Sequence, residues 1–320
     1  MRYSAVQACI ATLLLICGAA AHADGVIDRI RAQGTLHCGA VERPGVAESP
    51  NGAPRGVAVD ICRAVAIAAL GPSARVTFNL YEMPNSYDGV RQGGDEIAFI
   101  TGSEIAEQDL ARFVVPGPTI LINSIDVMVP DASPMHRMAD LSGQTICLMI
   151  GSRAQRVFEN TAAALHLSVS RLTFEEDIEL LDAYNAGNCG AVVGETTYLA
   201  GMRQNPGVRR LTSRLLSATL AADPIIAATP QTDGTWAADV AWVISALLLA
   251  DTPRDDWADA AGGLPAPRPA GFRPTWRQDI ATSLGSYAAI IRRNLTEPLG
   301  LPPGANALWP VGMLLPPAIR

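Results

Sequence analysis

The 320-residue chain contains no lysine: all 24 of its basic side chains are arginine. Against 31 acidic residues this leaves a formal net charge of -7, and the arginines form no stripe. Neutralising a nucleic-acid backbone needs clustered cations, so no nucleic-acid partner is expected. Charged residues are scarce, at 17%, and no long run carries one sign. With 49% hydrophobic composition the chain can bury one large core or two medium ones, which excludes wholesale disorder. No apolar run beyond the N-terminus is long enough to span a bilayer. Residues 240–250 (VAWVISALLLA) are apolar but too few, and read as a core helix.

Chemical signatures are missing as well. The sequence has no GxGxxG, P-loop, HExxH or GxSxG motif. It has no CxxC or CxxH pair, and His37, His136 and His166 are scattered without metal-ligand spacing. No metal and no cofactor are therefore expected. No repeat of solenoid period and no low-complexity tract occurs.

What is present starts at the N-terminus. Met1-Arg2 gives a short positive start, residues 5–21 are mostly apolar, and Ala21-His22-Ala23 is a small-x-small cleavage pattern. Residues 1–23 read as a signal peptide, with the mature chain starting near Asp24 in the periplasm. Ile16 stands where lipid attachment at Cys17 would want a small residue. Export leaves Cys38, Cys62, Cys147 and Cys189 in an oxidising compartment, an even number with three allowed connectivities.

Along the chain, residues 26–31 start a short helix and 35–40 a first strand. Residues 42–55 form a Pro/Gly loop, 61–70 an Ala-rich helix closed by Gly71-Pro72, and 75–80 an alternating strand. A helical turn over 87–92 and a buried strand over 96–101 complete a β-α-β-α-β order. That order argues for a parallel sheet with ligands at its carboxyl ends. Residues 120–129 form a long extended run. A second set then follows, with strands over 145–150, 167–174 and 189–193, and helices after Gly151-Ser152 and over 179–185. Helices over 236–250 and 280–294 return after it, and residues 298–320 wrap the surface. Two lobes around a cleft are expected. The residues Glu175-Glu176-Asp177 with Glu179 read as a solvated acidic helix start. Trp236, Trp242, Trp257, Trp276 and Trp309 are expected to pack the C-terminal part of the first lobe.

Specific segments carry a resemblance. Gly34-Thr35-Leu36-His37-Cys38-Gly39, Val59-Asp60-Ile61-Cys62-Arg63-Ala64, Thr145-Ile146-Cys147 and Ala186-Gly187-Asn188-Cys189 resemble periplasmic amino-acid-binding proteins of ABC importers. The tail, Gly285-Ser286-Tyr287 through Gly304-Ala305-Asn306-Ala307-Leu308-Trp309, is similar to the general L-amino-acid-binding branch of these family 3 solute-binding proteins. The resemblance implies an α/β, two-lobed type II periplasmic binding protein fold, each lobe a mixed sheet flanked by helices. Lobe 1 would comprise residues 24–124 and 220–320, and lobe 2 residues 125–219, with hinges near 120–128 and 216–227. It further implies disulfides within each lobe, Cys38 with Cys62 and Cys147 with Cys189. The protein would be a monomer that takes a small-molecule ligand and delivers it to inner-membrane ABC permease subunits.

A free amino acid needs a cation for its carboxylate and an acid for its ammonium. Family members place Ser or Thr after the strand that ends the first series, then an Arg. Here the region reads Thr101-Gly102-Ser103-Glu104, and the Arg position falls on Gln108 or Asp109. The acid matches Glu195, and the Thr-Thr pair of relatives reads Ser152-Arg153. The expected ligand-binding set is therefore Glu42, Thr101, Ser103, Gln108, Asp109, Ser152, Arg153 and Glu195, with Arg153 supplying the cation from the second lobe. Relatives' covering aromatic is replaced near Ala47. Two other readings stay open: an accessory or sensory protein that has lost ordinary amino-acid binding, and a dehydratase or lyase using Glu42, Glu104 and Glu195 on the same fold.

Overall fold

The computed structural model describes residues 25–82, 87–107, 110–204, 211–251 and 271–314. The signal-peptide segment, Gln108, Asp109 and Trp257 lie outside the described residues.

Short apolar strands separated by helices give the first half of lobe 1. Helix α1 (Val26–Gln33) leads into β1 (Thr35–Val41), α2 (Val57–Leu70), β2 (Arg75–Tyr81), α3 (Asp88–Gln92), β3 (Ile97–Thr101), α4 (Gly102–Glu107), β4 (Val114–Val115) and β5 (Thr119–Ile122). The middle of the chain forms β6 (Ile125–Pro130), β7 (Thr145–Met149), α5 (Arg153–Ala164), β8 (Ser170–Phe174), α6 (Asp177–Asn185), β9 (Ala191–Glu195), α7 (Thr196–Gln204) and β10 (Ser213–Leu215). The chain returns through β11 (Pro224–Pro230), α8 (Gly234–Leu249), α9 (Trp276–Ser283) and α10 (Tyr287–Ile291). A π-helical turn (Arg292–Thr296) then runs into α11 (Glu297–Leu299).

Two mixed sheets result. The first has the order β2-β1-β3-β11-β4 with β5 on β11, and the second has the order β10-β6-β9-β7-β8. In the first, β1 runs parallel to β2 and β3, and β11 is antiparallel to its neighbours. The extended run over 120–129 is thus two strands belonging to different sheets. It breaks at Asn123-Ser124, where Asn123 Nδ2 donates to Glu195 Oε2 at 2.8 Å. The return passes through Asp223, whose carbonyl accepts from Asn123 N at 2.9 Å. The chain thus crosses twice between the sheets at one level.

Each sheet is covered on its faces. Almost every residue of α2 is buried, because it lies between the first sheet and α1, α8 and α9. Fully burying an aliphatic side chain contributes about 1.5–3 kcal/mol. The one acid in that helix, Asp60, is paired: Arg293 Nε and Asn294 Nδ2 both donate to its Oδ2 at 2.7 Å. In lobe 2 the strand alternation separates two cores. Val127, Ile146 and Val193 face α5 with Phe158, whereas Met128, Cys147 and Val192 face Leu180, Tyr184 and Leu199 of α6 and α7.

The disulfides are Cys38–Cys62, joining β1 to α2, and Cys147–Cys189, joining β7 to the turn before β9. Each closes within its own lobe. The C-terminal part is tied back to the first sheet: Trp236 Nε1 donates to the Glu96 carbonyl and Tyr287 Oη to the Ile120 carbonyl. Asn306 accepts from Ile122 N through Oδ1 at 2.6 Å and donates to the Ile122 carbonyl through Nδ2 at 3.0 Å. The tryptophan expectation needs one correction. Trp236 and Trp276 are buried, but Trp309 is 66% exposed, because it sits in a tight turn that folds on itself, its N–H donating to the Leu314 carbonyl.

Candidate functional site

The loop after β1 carries the side chain that sequence reasoning missed. Residues 43–47 form a tight turn, with Arg43 N donating to the Ala47 carbonyl at 2.8 Å. Gly45 takes φ 68°, and a Cβ there would stand 2.7 Å from Leu295 Cδ2, so the turn seats directly on the C-terminal helices. Arg43 is thereby aimed at lobe 2, where its Nε donates to Glu195 Oε2 at 2.9 Å. Burial alone would lower the Arg43 pKa, but Glu195, Glu104 and Asp223 raise it above its ordinary value. Glu195 also accepts from Asn123, whose Oδ1 accepts from Thr197 N at 3.2 Å.

A second pair crosses in the other direction. Arg153 opens α5, with Nε 2.8 Å from Asp223 Oδ2 as an ion pair without an aligned hydrogen bond. A cation at a helix N-terminus is disfavoured by the helix dipole, and Asp223 offsets this. Burial pushes the Asp223 carboxyl above the usual carboxylate range. Ser103 and Arg153 pull it back down, and Glu195 adds to the rise.

The hydroxyl residues are placed differently from expectation. Thr101 is 3% exposed and does not line the cleft. Thr101-Gly102-Ser103-Glu104 forms a reciprocal capping box: Thr101 N donates to Glu104 Oε2 at 2.7 Å and Glu104 N to Thr101 Oγ1 at 3.2 Å. Glu104 is buried by this role, which takes it out of the open cleft. Ser103 also lies beneath the cleft wall, with its Oγ donating to Asp223 Oδ2 at 2.9 Å. Ser152 does line the cleft, but its hydroxyl caps α5 by accepting from Gln155 N at 3.1 Å. Glu42, Arg153 and Glu195 line the cleft. Ala47 is fully buried.

The cleft has a volume of about 910 Å³. Lobe 1 contributes residues 41–44 with Glu48, Arg55, Pro298 and Leu299. Lobe 2 contributes the ends of β7 and β9 and faces of α5, α6 and α7. The carboxylates of Glu42, Glu48, Asp177 and Glu195 line it beside three arginines, Arg43, Arg55 and Arg153. Arg55 is held by Glu48 at 2.9 Å, and Asp177 accepts from Tyr198 Oη at 2.9 Å. Beyond the polar groups the wall is aliphatic, with Met149, Ile178, Leu181 and Met202. The lobes meet closely: a Cβ on Gly201 of α7 would lie 2.8 Å from Pro44 Cγ. Among the described residues no group of three or more His, Cys, Asp or Glu could hold a metal ion.

Arg43 and Asp223 left only weak traces in the sequence. Arg43 follows the carboxyl end of β1, where open parallel sheets present ligands. Asp223 and Asn123 are polar residues inside largely apolar crossing segments.

Two mixed sheets with two chain crossings and a polar cleft between them define the type II periplasmic binding protein fold. Solved structures agree. A periplasmic binding protein of an ABC transporter from Brucella ovis, with glutathione bound, superposes with a TM-score of 0.75 at 23% identity, covering 90% of this chain and 97% of that one. The holo form of ArgBP from T. maritima gives a TM-score of 0.53 at 18% identity, over 74% of this chain and 99% of that one. No family model matches the chain. Among curated proteins, the general L-amino acid-binding periplasmic protein AapJ of Rhizobium johnstonii is 23% identical, covering 98% of this chain and 97% of its own. The glutamate/glutamine/aspartate/asparagine-binding protein BztA of Rhodobacter capsulatus is 23% identical over 98% of both chains. Over nearly all of its given sequence the chain is similar to periplasmic amino-acid-binding proteins of ABC importers.

Proposed function

We propose that the protein is the extracytoplasmic solute-binding component of an ABC importer. In this reading residues 1–23 are removed on export, and the mature monomer captures a small zwitterionic or amine-bearing solute and presents it to inner-membrane permease subunits. It performs no catalysis. The observation that carries the reading is the meeting of Arg43 and Glu195 from opposite lobes at the cleft. A ligand touching both lobes binds the closed form more tightly than the open one, and so shifts the population. Glu42, Ser152, Arg153 and Glu195 act in this reading together with Arg43, an arginine fork for a carboxylate and an acid for an ammonium. The four lining carboxylates, with Asp223 beneath them, outnumber the arginines, so a ligand with extra positive charge is favoured.

Thermal-shift and calorimetric titration with amino acids, a polyamine series and small peptides tests this. A ligand at about 100 times its dissociation constant adds ~2.7 kcal/mol of stability. Tighter binding of glutamate than of arginine would overturn the charge preference. One observation favours the accessory or sensory reading: both Arg43 and Arg153 are already paired with internal acids. Absence of a shift with any of these compounds would select it.

A further inference from the structure

We propose that the cleft takes a short peptide with apolar side chains, rather than a free amino acid or a wholly polar peptide. This rests on the solute-binding reading and names the ligand class of that same cleft. The first observation is size. A volume of about 910 Å³ stands near the upper end of the range of roughly 300–1,000 Å³ found for sites that enclose drug-sized molecules. A single amino acid would leave most of it as water.

The second observation is the division of the walls. The two crossing ion pairs, Arg43–Glu195 and Arg153–Asp223, gather charge where the lobes meet. These pairs can exchange partners with the ammonium and carboxylate of a peptide's termini. Away from them the surface is built from Met149, Ile178, Leu181, Met202, Pro298 and Leu299. Leu181, Met202 and Leu299 are buried, so they form a fixed wall. Methionine adapts its shape to varied apolar partners.

The third observation is Ile178 itself. It interrupts the acidic start of α6, between Asp177 and Glu179, and remains 55% exposed while bordering the cleft. The position is otherwise one for a charged residue, since acids at a helix start complement its dipole. A ligand side chain laid against Ile178 removes this aliphatic surface from water.

The test compares L-leucine, triglycine, trileucine and glutathione by isothermal titration of the mature protein. Triglycine and trileucine share their charges and differ only in apolar side chains. Trileucine is expected to bind at least about tenfold more tightly than each of the others, as burial of one aliphatic side chain suffices for that. In Ile178→Asn, at an exposed position that leaves the core intact, the trileucine-to-triglycine affinity ratio is expected to fall severalfold. Equal affinity of trileucine and triglycine, tighter glutathione, or leucine as tight as trileucine would overturn the peptide assignment and leave solute binding standing. An unchanged ratio in Ile178→Asn would remove this wall from the site and overturn the proposal. Absence of binding by all four, and by the amino-acid panel, would overturn both readings.

Discussion

Arg153 Nε stands 2.8 Å from Asp223 Oδ2, so the second lobe's cation is held by the segment through which the chain returns to the first lobe. A ligand carboxylate must compete with Asp223 for this arginine. Because burial holds the Asp223 carboxyl above its usual range, it takes up a proton earlier than an ordinary carboxylate as pH falls. Asp223→Asn is expected to bind glutamate more tightly than the native protein at pH 7.5. The native protein should approach the variant's affinity as the pH is lowered. Calorimetric titrations at descending pH check this, and a constant difference between the two proteins would contradict it.

The crossing cations should matter more for binding than for folding. Arg43→Ala, Arg153→Ala and Glu195→Ala are each expected to weaken ligand binding by about 1.5–3 kcal/mol, the scale of a hydrogen bond to a charged group. The far-ultraviolet circular dichroism of the unliganded variants should remain native. Unchanged affinity in any of the three would remove that residue from the site.

Gly201 sets helix propensity against lobe closure. Within a helix, replacing Gly by Ala gains about 0.8–1 kcal/mol of intrinsic propensity. Here the added carbon would meet Pro44 Cγ at 2.8 Å, closer than unstrained packing allows. Gly201→Ala, and more strongly Gly201→Val, should therefore raise the radius of gyration in small-angle scattering and weaken ligand binding, while the melting temperature of the Ala variant holds or rises. A compact Val variant with native affinity would show that the lobes close without this contact.

Asp239 gives a pH dependence of stability. Burial, with the neighbouring Asp233 charge, raises its pKa to about 6, and Arg31 opposes this. A raised folded-state value means that the folded chain holds the proton more tightly than the unfolded one. Its contribution is present below the ordinary carboxylate range and is lost as pH rises through about 6. Asp239→Asn is therefore expected to melt at a higher temperature than the native protein at pH 7.5, and at nearly the same temperature at pH 4. Equal melting at both values would refute the assignment.

The two disulfides span 24 and 42 residues. In the loop-entropy model each contributes about 3–4 kcal/mol. Reduction should lower the melting temperature without changing the resistance to lobe opening, because neither bridge crosses the cleft. Peptide mapping that found Cys38 linked to Cys147 would overturn both the pairing and this expectation.

The sequence shows the β-α-β-α-β order because strand and helix periods differ, and it shows the cysteine frame through resemblance. It conceals how hydroxyls are spent. Thr101-Gly102-Ser103-Glu104 matches the local capping pattern as well as a ligand-binding one, and the structure uses it for the cap. Arg43 was hidden for another reason. Its partner Glu195 lies 152 residues away, so only the folded lobes reveal the pair. Asp223 looked like part of an extended hinge run, and its burial against Arg153 depends on how the two lobes meet.

The Asn306 side chain presents to Ile122 a donor and an acceptor on one planar amide, which is what a neighbouring strand would offer. At Ile122 it therefore does the work of an additional strand, and the border of the first sheet ends there in a blunted edge. Unpaired strand edges invite another copy of the chain to add itself by backbone pairing. The C-terminal tail thus acts as a guard against self-association at this edge.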